Sequence, residues 1–453
     1  MLNHSFFRST ALFLLPLALA ALAAAPARAL VLSDSTGTDS WKLANGLEVR
    51  LRHVPRAAGV AIVVAYRAGY GYDPAGREGL AAVLAELQYL SAAGETPDRT
   101  REEMDSIRPF GWSVRTNERF ALLTEVSAPD QFPGVLRQVA VRMRGVTPVA
   151  RDLQDALADV RRDQGNRLFA RADLGLYYRV RDVALGTPDE RIVRRANAEG
   201  LKSLSLKDAV EHLHRLYVPA NACLAIAGDF GTLDVHKLIE QEFAAIPGGA
   251  PQPELPEAQL HPGARAMGFA GLDHSVGVVG VFAPSIGDSL HPSFFLSMMS
   301  CGPWFTNKLG RPAEPLTSRF QYSLFDEPDM IRFYPPARPT ETAPAEVTRQ
   351  FNGLLDQFAE TTLDRDSREA IRRSVGWLIG APLPPSAKEQ IRKQPGSLGT
   401  LATSMASRAL WRGDEFWAGY LERFETTHRG HNTFTGWMSD PAHQATLLFT
   451  PKP

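Results

Sequence analysis

Cysteine is nearly missing from this chain. Only Cys223 and Cys301 occur among 453 residues. Two thiols cannot build a disulfide framework or a thiolate-only zinc site. Cys223 lies in the apolar run Asn221-Ala222-Cys223-Leu224-Ala225-Ile226-Ala227 and reads as a buried free thiol, not as half of a bridge. Also lacking are H-E-x-x-H and H-x-x-E-H, which excludes helical two-histidine zinc hydrolases of the usual pattern. No G-x-S-x-G is present for a serine nucleophile elbow, and no glycine fingerprint for nucleotide phosphates. An excess of charge is missing as well. With 49 basic and 50 acidic residues, nothing favours nucleic acid or an anionic membrane as partner. Past the first thirty residues no apolar run approaches the ~20 residues a membrane span needs.

The scattered histidines carry little. His212 and His214 are two apart on a helical segment, and positions i and i+2 do not share a face. His428 and His431 bracket Arg429-Gly430 in a polar turn.

What is present begins with a leader. His4 and Arg8 precede the short apolar core Ala11–Ala23, broken by Pro16, and Ala27-Arg28-Ala29 is a small-residue cleavage site. Residues 1–29 are therefore expected to be a signal peptide, with the mature chain starting at Leu30 in a bacterial periplasm or outside the cell. The rest divides at a Pro- and Gly-rich stretch, Pro247-Gly248-Gly249-Ala250-Pro251-Gln252-Pro253-Glu254-Leu255-Pro256. The expectation is one domain over 30–247, a linker over 248–262 and a second domain over 263–453.

Within the first domain, Asn45-Gly46 between alternating apolar positions predicts a hairpin. Val60–Tyr66 predicts a buried strand, and the spacing of Leu80, Val83, Leu84, Leu87 and Leu90 predicts a helix from about Gly76 to Ser91. Ser205-Leu206-Lys207-Asp208 opens a further helix as a capping box. The second domain shows a similar order more weakly: strands over Val276–Phe282, Ile331–Tyr334 and Ala445–Thr450, with helices over Pro292–Met299, Ala345–Glu360 and one or two over Leu398–Phe424. That order suggests an internal duplication.

Several of these segments resemble the pitrilysin/insulinase (M16) metallopeptidases. Trp41-Lys42-Leu43-Ala44-Asn45-Gly46-Leu47 is similar to that family's opening N-G-L hairpin, and Ala65-Tyr66-Arg67-Ala68-Gly69 to its Y-x-x-G strand end. Tyr217-Val218-Pro219-Ala220-Asn221-Ala222 running to Gly228-Asp229-Phe230 is the most specific match. The resemblance covers nearly the whole mature chain. It implies an α+β fold of two homologous domains, each a mainly antiparallel sheet with helices on one face, closing around an extended peptide that adds to a sheet edge.

The resemblance also locates what has been lost. Gly79-Leu80-Ala81-Ala82-Val83-Leu84-Ala85-Glu86 stands where the family reads G-L-A-H-x-x-E-H. Ala82 and Glu86 hold the two histidine places and Ala85 that of the general base. Asp163, in Val160-Arg161-Arg162-Asp163, stands at the third ligand, a glutamate in the family. Ala has no lone pair to give Zn²⁺, so no catalytic residue and no metal ligand is expected here. Glu86 and Asp163 could at most form a weak oxygen site for a hard cation, and solvated carboxylates are the plainer reading. The family's substrate-gripping arginine corresponds to Arg311, while Ser318 stands at its tyrosine and Tyr322 is a shifted substitute. The expected function is that of a zinc-free, exported subunit. It would have no cofactor of its own, pair with a catalytic M16 peptidase and help enclose unfolded peptide. The alternatives are a stand-alone structural or peptide-binding module, and a metallopeptidase with unconventional ligands.

Overall fold

A computed structural model describes residues 32–33, 37–94, 111–165, 172–186, 201, 203–269, 272–310, 319–335, 343–361, 364–427 and 431–451. The leader lies outside them. The described elements are strands β1 (Leu32–Ser33), β2 (Thr38–Lys42), β3 (Glu48–His53) and β4 (Val60–Tyr66), helix α1 (Leu80–Leu90), then β5 (Trp112–Thr116) and β6 (Ala121–Ser127). Helices α2 (Phe132–Arg144), α3 (Ala150–Gly165), α4 (Ala172–Ala184) and α5 (Leu206–Leu216) lead to β7 (Ala222–Gly228) and α6 (Val235–Phe243). After the linker come β8 (Gly263–Phe269), β9 (Val276–Phe282), α7 (His291–Leu309), β10 (Phe320–Ser323) and β11 (Glu327–Phe333). Helices α8 (Pro344–Ala359), α9 (Arg365–Val375), α10 (Pro385–Lys393), α11 (Pro395–Leu410), α12 (Gly413–Thr426) and α13 (His431–Ser439) precede β12 (Gln444–Pro451).

The duplication inferred from pattern is explicit in the sheets. The first has strand order β1-β2-β3-β7-β4-β6-β5 and the second β10-β11-β9-β12-β8. Reading the second from β8, both halves run first strand, last strand, second, fourth, third. The pairing directions match too. β3 is parallel to β7 as β8 is to β12, and the remaining pairs of the shared five strands are antiparallel. Even the approach to the last strand repeats: a helix, then a 3-10 turn over Pro219–Asn221 or Pro441–His443, then β7 or β12. The first half adds the β1–β2 extension on the outside of β3.

β4 and β7 are buried along their whole length, as their unbroken apolar runs require of strands covered on both faces. One face of the first sheet presents Val60, Ile62, Val64, Leu224 and Ile226 to its own helices α1, α2, α3, α5 and α6. The other face presents Ala61, Val63, Ala65, Cys223, Ala225 and Ala227. These are smaller, and onto them packs α11, which belongs to the second half. The second sheet mirrors this. Val279, Val281, Ile331 and Phe333 meet its own helices, while Val276, Val278, Met330, Leu447 and Phe449 meet Leu176, Val180 and Val183 of α4, from the first half. Among the described residues, each half thus keeps its own helices on one face and receives one helix from the other half on the opposite face.

Polar contacts follow the same seam. Arg67 donates to the Leu410 carbonyl from Nη2 at 2.8 Å, and Arg50, almost wholly buried, reaches Asp414 at 2.7 Å. Arg181 of α4 bridges Glu118 of the first half at 2.6 Å and Asp329 of the second at 2.5 Å. The 248–262 segment contains no helix or strand, yet it is tied down. Tyr72 donates to the Pro253 carbonyl at 2.8 Å, and the Arg412 guanidinium reaches Glu257 at 2.6 Å.

Local expectations fared well where the signal was chemical. The Asn45-Gly46 turn joins β2 to β3, with Gly46 at φ 91°. The Ser205–Asp208 capping box is formed in both directions, at 3.1 and 3.2 Å. Boundaries moved elsewhere. The helix expected over Pro292–Met299 continues to Leu309 through Pro303, because the proline removes only one backbone donor and the packed apolar face outweighs it. β5, β8 and β10, edge strands that are half-exposed, were not read as strands. Both cysteines are buried free thiols, and burial pushes that of Cys223 up to about 12.

Two outcomes follow. A Cβ at Gly399 of α11 would already sit 3.3 Å from Thr124 Cγ2 of β6. Gly399→Val should therefore push α11 off the first sheet and lower stability by about 1–3 kcal/mol, read as a shift in a single urea transition. His291 is fully buried, with Nδ1 2.7 Å from the Tyr420 hydroxyl. Desolvation lowers its pKa from the usual 6.5 to about 3. Between those values the unfolded chain binds a proton that the folded chain does not. Stability should be full above pH 6.5 and fall by about 1.4 kcal/mol per pH unit as pH drops towards 3. Urea titrations of wild type and His291→Gln should differ by that slope.

Candidate functional site

Helix α1 owes its position to its N-terminus. Gly79 adopts φ 98° immediately before it, a left-handed conformation that glycine takes without cost. The Asp73 carboxylate accepts from Gly79 N at 2.7 Å and Ala81 N at 2.8 Å, satisfying two amides that the helix itself leaves open. From there α1 runs beside β5 and β6 and packs along α3. Leu80, Val83, Leu84 and Leu87 sink into the apolar core.

On its other face the three positions differ. Ala82 and Glu86 are half-buried, whereas Ala85 is fully buried within the apolar cluster. The residue at the place of the general base is therefore covered by the apolar core. Packing of α1 on α3 brings the helix that carries Asp163 alongside the helix that carries Glu86, but the Asp163 side chain lies outside the described residues, as do Arg311 and Ser318. Tyr322 sits on β10, half-buried, and donates its hydroxyl to the Pro328 carbonyl at 3.3 Å. Desolvation raises its pKa. Of the histidines, His212 meets its own helix carbonyl, that of Asp208, at 2.8 Å, and His431 is buried against the Phe358 ring.

The donor set does not fit zinc. Two of the helix positions are methyl groups and the third is a carboxylate, and among the described residues no group of three or more His, Cys, Asp or Glu side chains could hold a metal ion. No metal-assisted step can be derived from these residues.

Behind α1 lies a charged cluster that the sequence did not reveal. Glu125, 1% exposed on β6, pairs with Arg142 of α2 and accepts from the Tyr89 hydroxyl of α1 at 3.2 Å. The Arg142 guanidinium lies over the Tyr89 ring at 4.7 Å, and that ring packs against Trp112 of β5 at 4.9 Å. One network thus ties α1, α2, β6 and β5 together. The only hint in the sequence is a lone glutamate inside the apolar run Ala121–Ser127, which local patterning cannot pair with an arginine 17 residues away. β5 itself, with Trp112 and Val114 half-buried and Ser113 and Arg115 exposed, pairs only with β6 among the described residues. The side chains flanking α1 therefore end at an open strand edge.

Solved structures with this architecture carry the comparison. A protease from Helicobacter pylori superposes with a TM-score of 0.66 over 91% of this chain and 99% of its own, at 15% identity. The chain has the M16-like peptidase fold. A structure described as the peptidase M16 inactive domain from Pseudomonas fluorescens matches at TM-score 0.62 and 12% identity, covering 92% of this chain and 98% of its own. The periplasmic protease PqqL from Escherichia coli matches at 0.64 and 12% identity over 94% of this chain, which spans 48% of PqqL. No protein-family model matches the sequence, and no curated protein is similar to it. Identities this low speak for the M16-like fold alone.

The burial of the base position makes a test. Ala85→Glu should cost about 3–5 kcal/mol by placing an unpaired carboxylate in the apolar core. Ala82→His, at a half-buried position, should leave the thermal midpoint within a few degrees of wild type. Equal midpoints for the two variants would mean that position 85 is open.

Proposed function

We propose that this chain is the zinc-free partner of an M16-type zinc peptidase, exported to the periplasm, where it helps enclose and hold unfolded polypeptide. The observation that carries the reading is the state of α1. The helix is capped, packed and aligned beside an open strand edge, while its two histidine places are Ala82 and Glu86 and its base place, Ala85, is buried in the core. A scaffold kept in full without its chemistry suits a binding and enclosing role. Among the described residues no helix is long and apolar enough to cross a membrane.

β5 is the strand to which an extended peptide would add. Its edge would supply main-chain hydrogen bonds, and Trp112 and Val114 apolar contact. Arg311 is proposed as a second grip on the peptide backbone. The chain is proposed to bind no zinc or other cofactor of its own, with zinc confined to the partner.

Affinity capture of the tagged mature chain from its native cells, followed by mass spectrometry and metal analysis, tests the assignment. A co-purifying M16 chain with an intact H-x-x-E-H, with zinc in the complex and none in this chain alone, is the expected result. A solitary chain that still binds unfolded peptide would move the assignment to a stand-alone module. Chelator-sensitive cleavage by this chain alone would refute it. Within a functional complex, Arg311→Ala should raise KM for an unfolded peptide several-fold while leaving kcat little changed.

A further inference from the structure

The two sheets are equivalent strand for strand, so a difference between them at one position is informative. Alignment through the last strands places β8 on β3. Glu48 pairs with Cys223 as Gly263 pairs with Ala445, and Arg50 with Ala225 as Arg265 with Leu447. In the first half the outer edge of β3 is closed by β2 in antiparallel register, with Asp39 opposite Leu51. In the second half no such strand lies on the corresponding edge of β8 among the described residues. Among the described residues β8 pairs with β12 alone, and Ala266 occupies the place of Leu51.

The other described edges are shorter or less regular than β8. β1 is two residues long, β10 is four residues with a register shift between Gln321 and Ser323, and β5 carries the exposed Arg115. β8 runs seven residues in unbroken register, Gly-Ala-Arg-Ala-Met-Gly-Phe, without proline, lysine or bulge. Ala264, Ala266 and Gly268 are exposed. Arg265 and Met267 share the opposite side, where Met267 packs on the α4 layer. A long, regular and weakly charged edge is a template for another strand.

We propose that β8 pairs with β8 of a second copy of this chain, antiparallel about a two-fold axis through Ala266. Self-pairing is favoured by the residues themselves. In that register Ala264 faces Gly268, and Arg265 faces Met267 of the copy, so the one charge on the strand never opposes its own kind. Small side chains at 264, 266 and 268 let the two strands approach without a clash. The contact is isologous, as a closed dimer requires, and joins two five-stranded sheets into one of ten strands. It uses the edge of the second sheet furthest from β10, and it stands whether or not the chain binds peptide beside α1.

Light scattering on the mature protein after size exclusion, together with two charge variants, tests this. Wild type should have the mass of two chains. Ala266→Lys and Ala266→Glu each place like charges opposite one another on the two-fold axis, and each should have the mass of one chain. An equimolar mixture of the two should return to two chains, because an ammonium and a carboxylate then face each other across the axis. Thermal melts of the separate variants should show the native transition, since position 266 is exposed. A wild type that stays single-chain at the highest attainable concentration would overturn the proposal. So would a dimer that persists in both variants, which would place the contact elsewhere. A single chain whose β8 amides become protected from exchange only on binding a different polypeptide would assign the edge to that polypeptide and refute self-pairing.

Discussion

The structure depends on a reciprocal exchange of helices. The first sheet turns its smaller residues, Ala61, Ala65, Cys223, Ala225 and Ala227, towards α11 of the second half. The second sheet turns its outer face towards α4 of the first half. An α/β sheet with an apolar face left open would be unstable in water, so neither sheet can be completed by its own half. The linker and the Arg50–Asp414 and Arg181–Asp329 pairs act on a seam whose position that exchange has already set. Ion pairs across such a seam fix geometry more than they add stability.

Helix α1 is held at both ends and along its apolar face. Its N-terminus is held by Asp73, its apolar face by the core, and its far end by Tyr89 through Glu125 and Arg142. The polar restraints act through Asp73 and Tyr89, and Ala85 adds to the apolar one. With a small residue at 85 the helix closes on its surroundings and Ala85 joins the core.

Much of the fold was legible because it rests on local chemistry. Asn45-Gly46 specified a turn through glycine's access to positive φ. The capping box at Ser205 declared a helix start, and the unbroken apolar runs of β4 and β7 declared central strands. Among the segments that escaped reading were β5, β8 and β10, half-exposed edges that only one neighbour and one face constrain, and the helices α4, α9, α10 and α13. Of the site, Ala82, Ala85 and Glu86 were placed on one helix from sequence. The partners of that helix were not, since Glu125 and Arg142 meet only once a strand and a later helix have been laid side by side.

By itself the sequence determined the elements and the chemistry that is missing. Periodicity marked the faces to be buried, and alanine at position 82 rules that side chain out as a zinc ligand whatever the fold, because a methyl group has no lone pair to offer. Only the tertiary structure decided which half covers which sheet, that position 85 is sealed inside the core, and that β8 lacks the strand its counterpart possesses. Those are relations between residues far apart in the chain. They are set by which apolar faces find each other on collapse, and no local pattern records that.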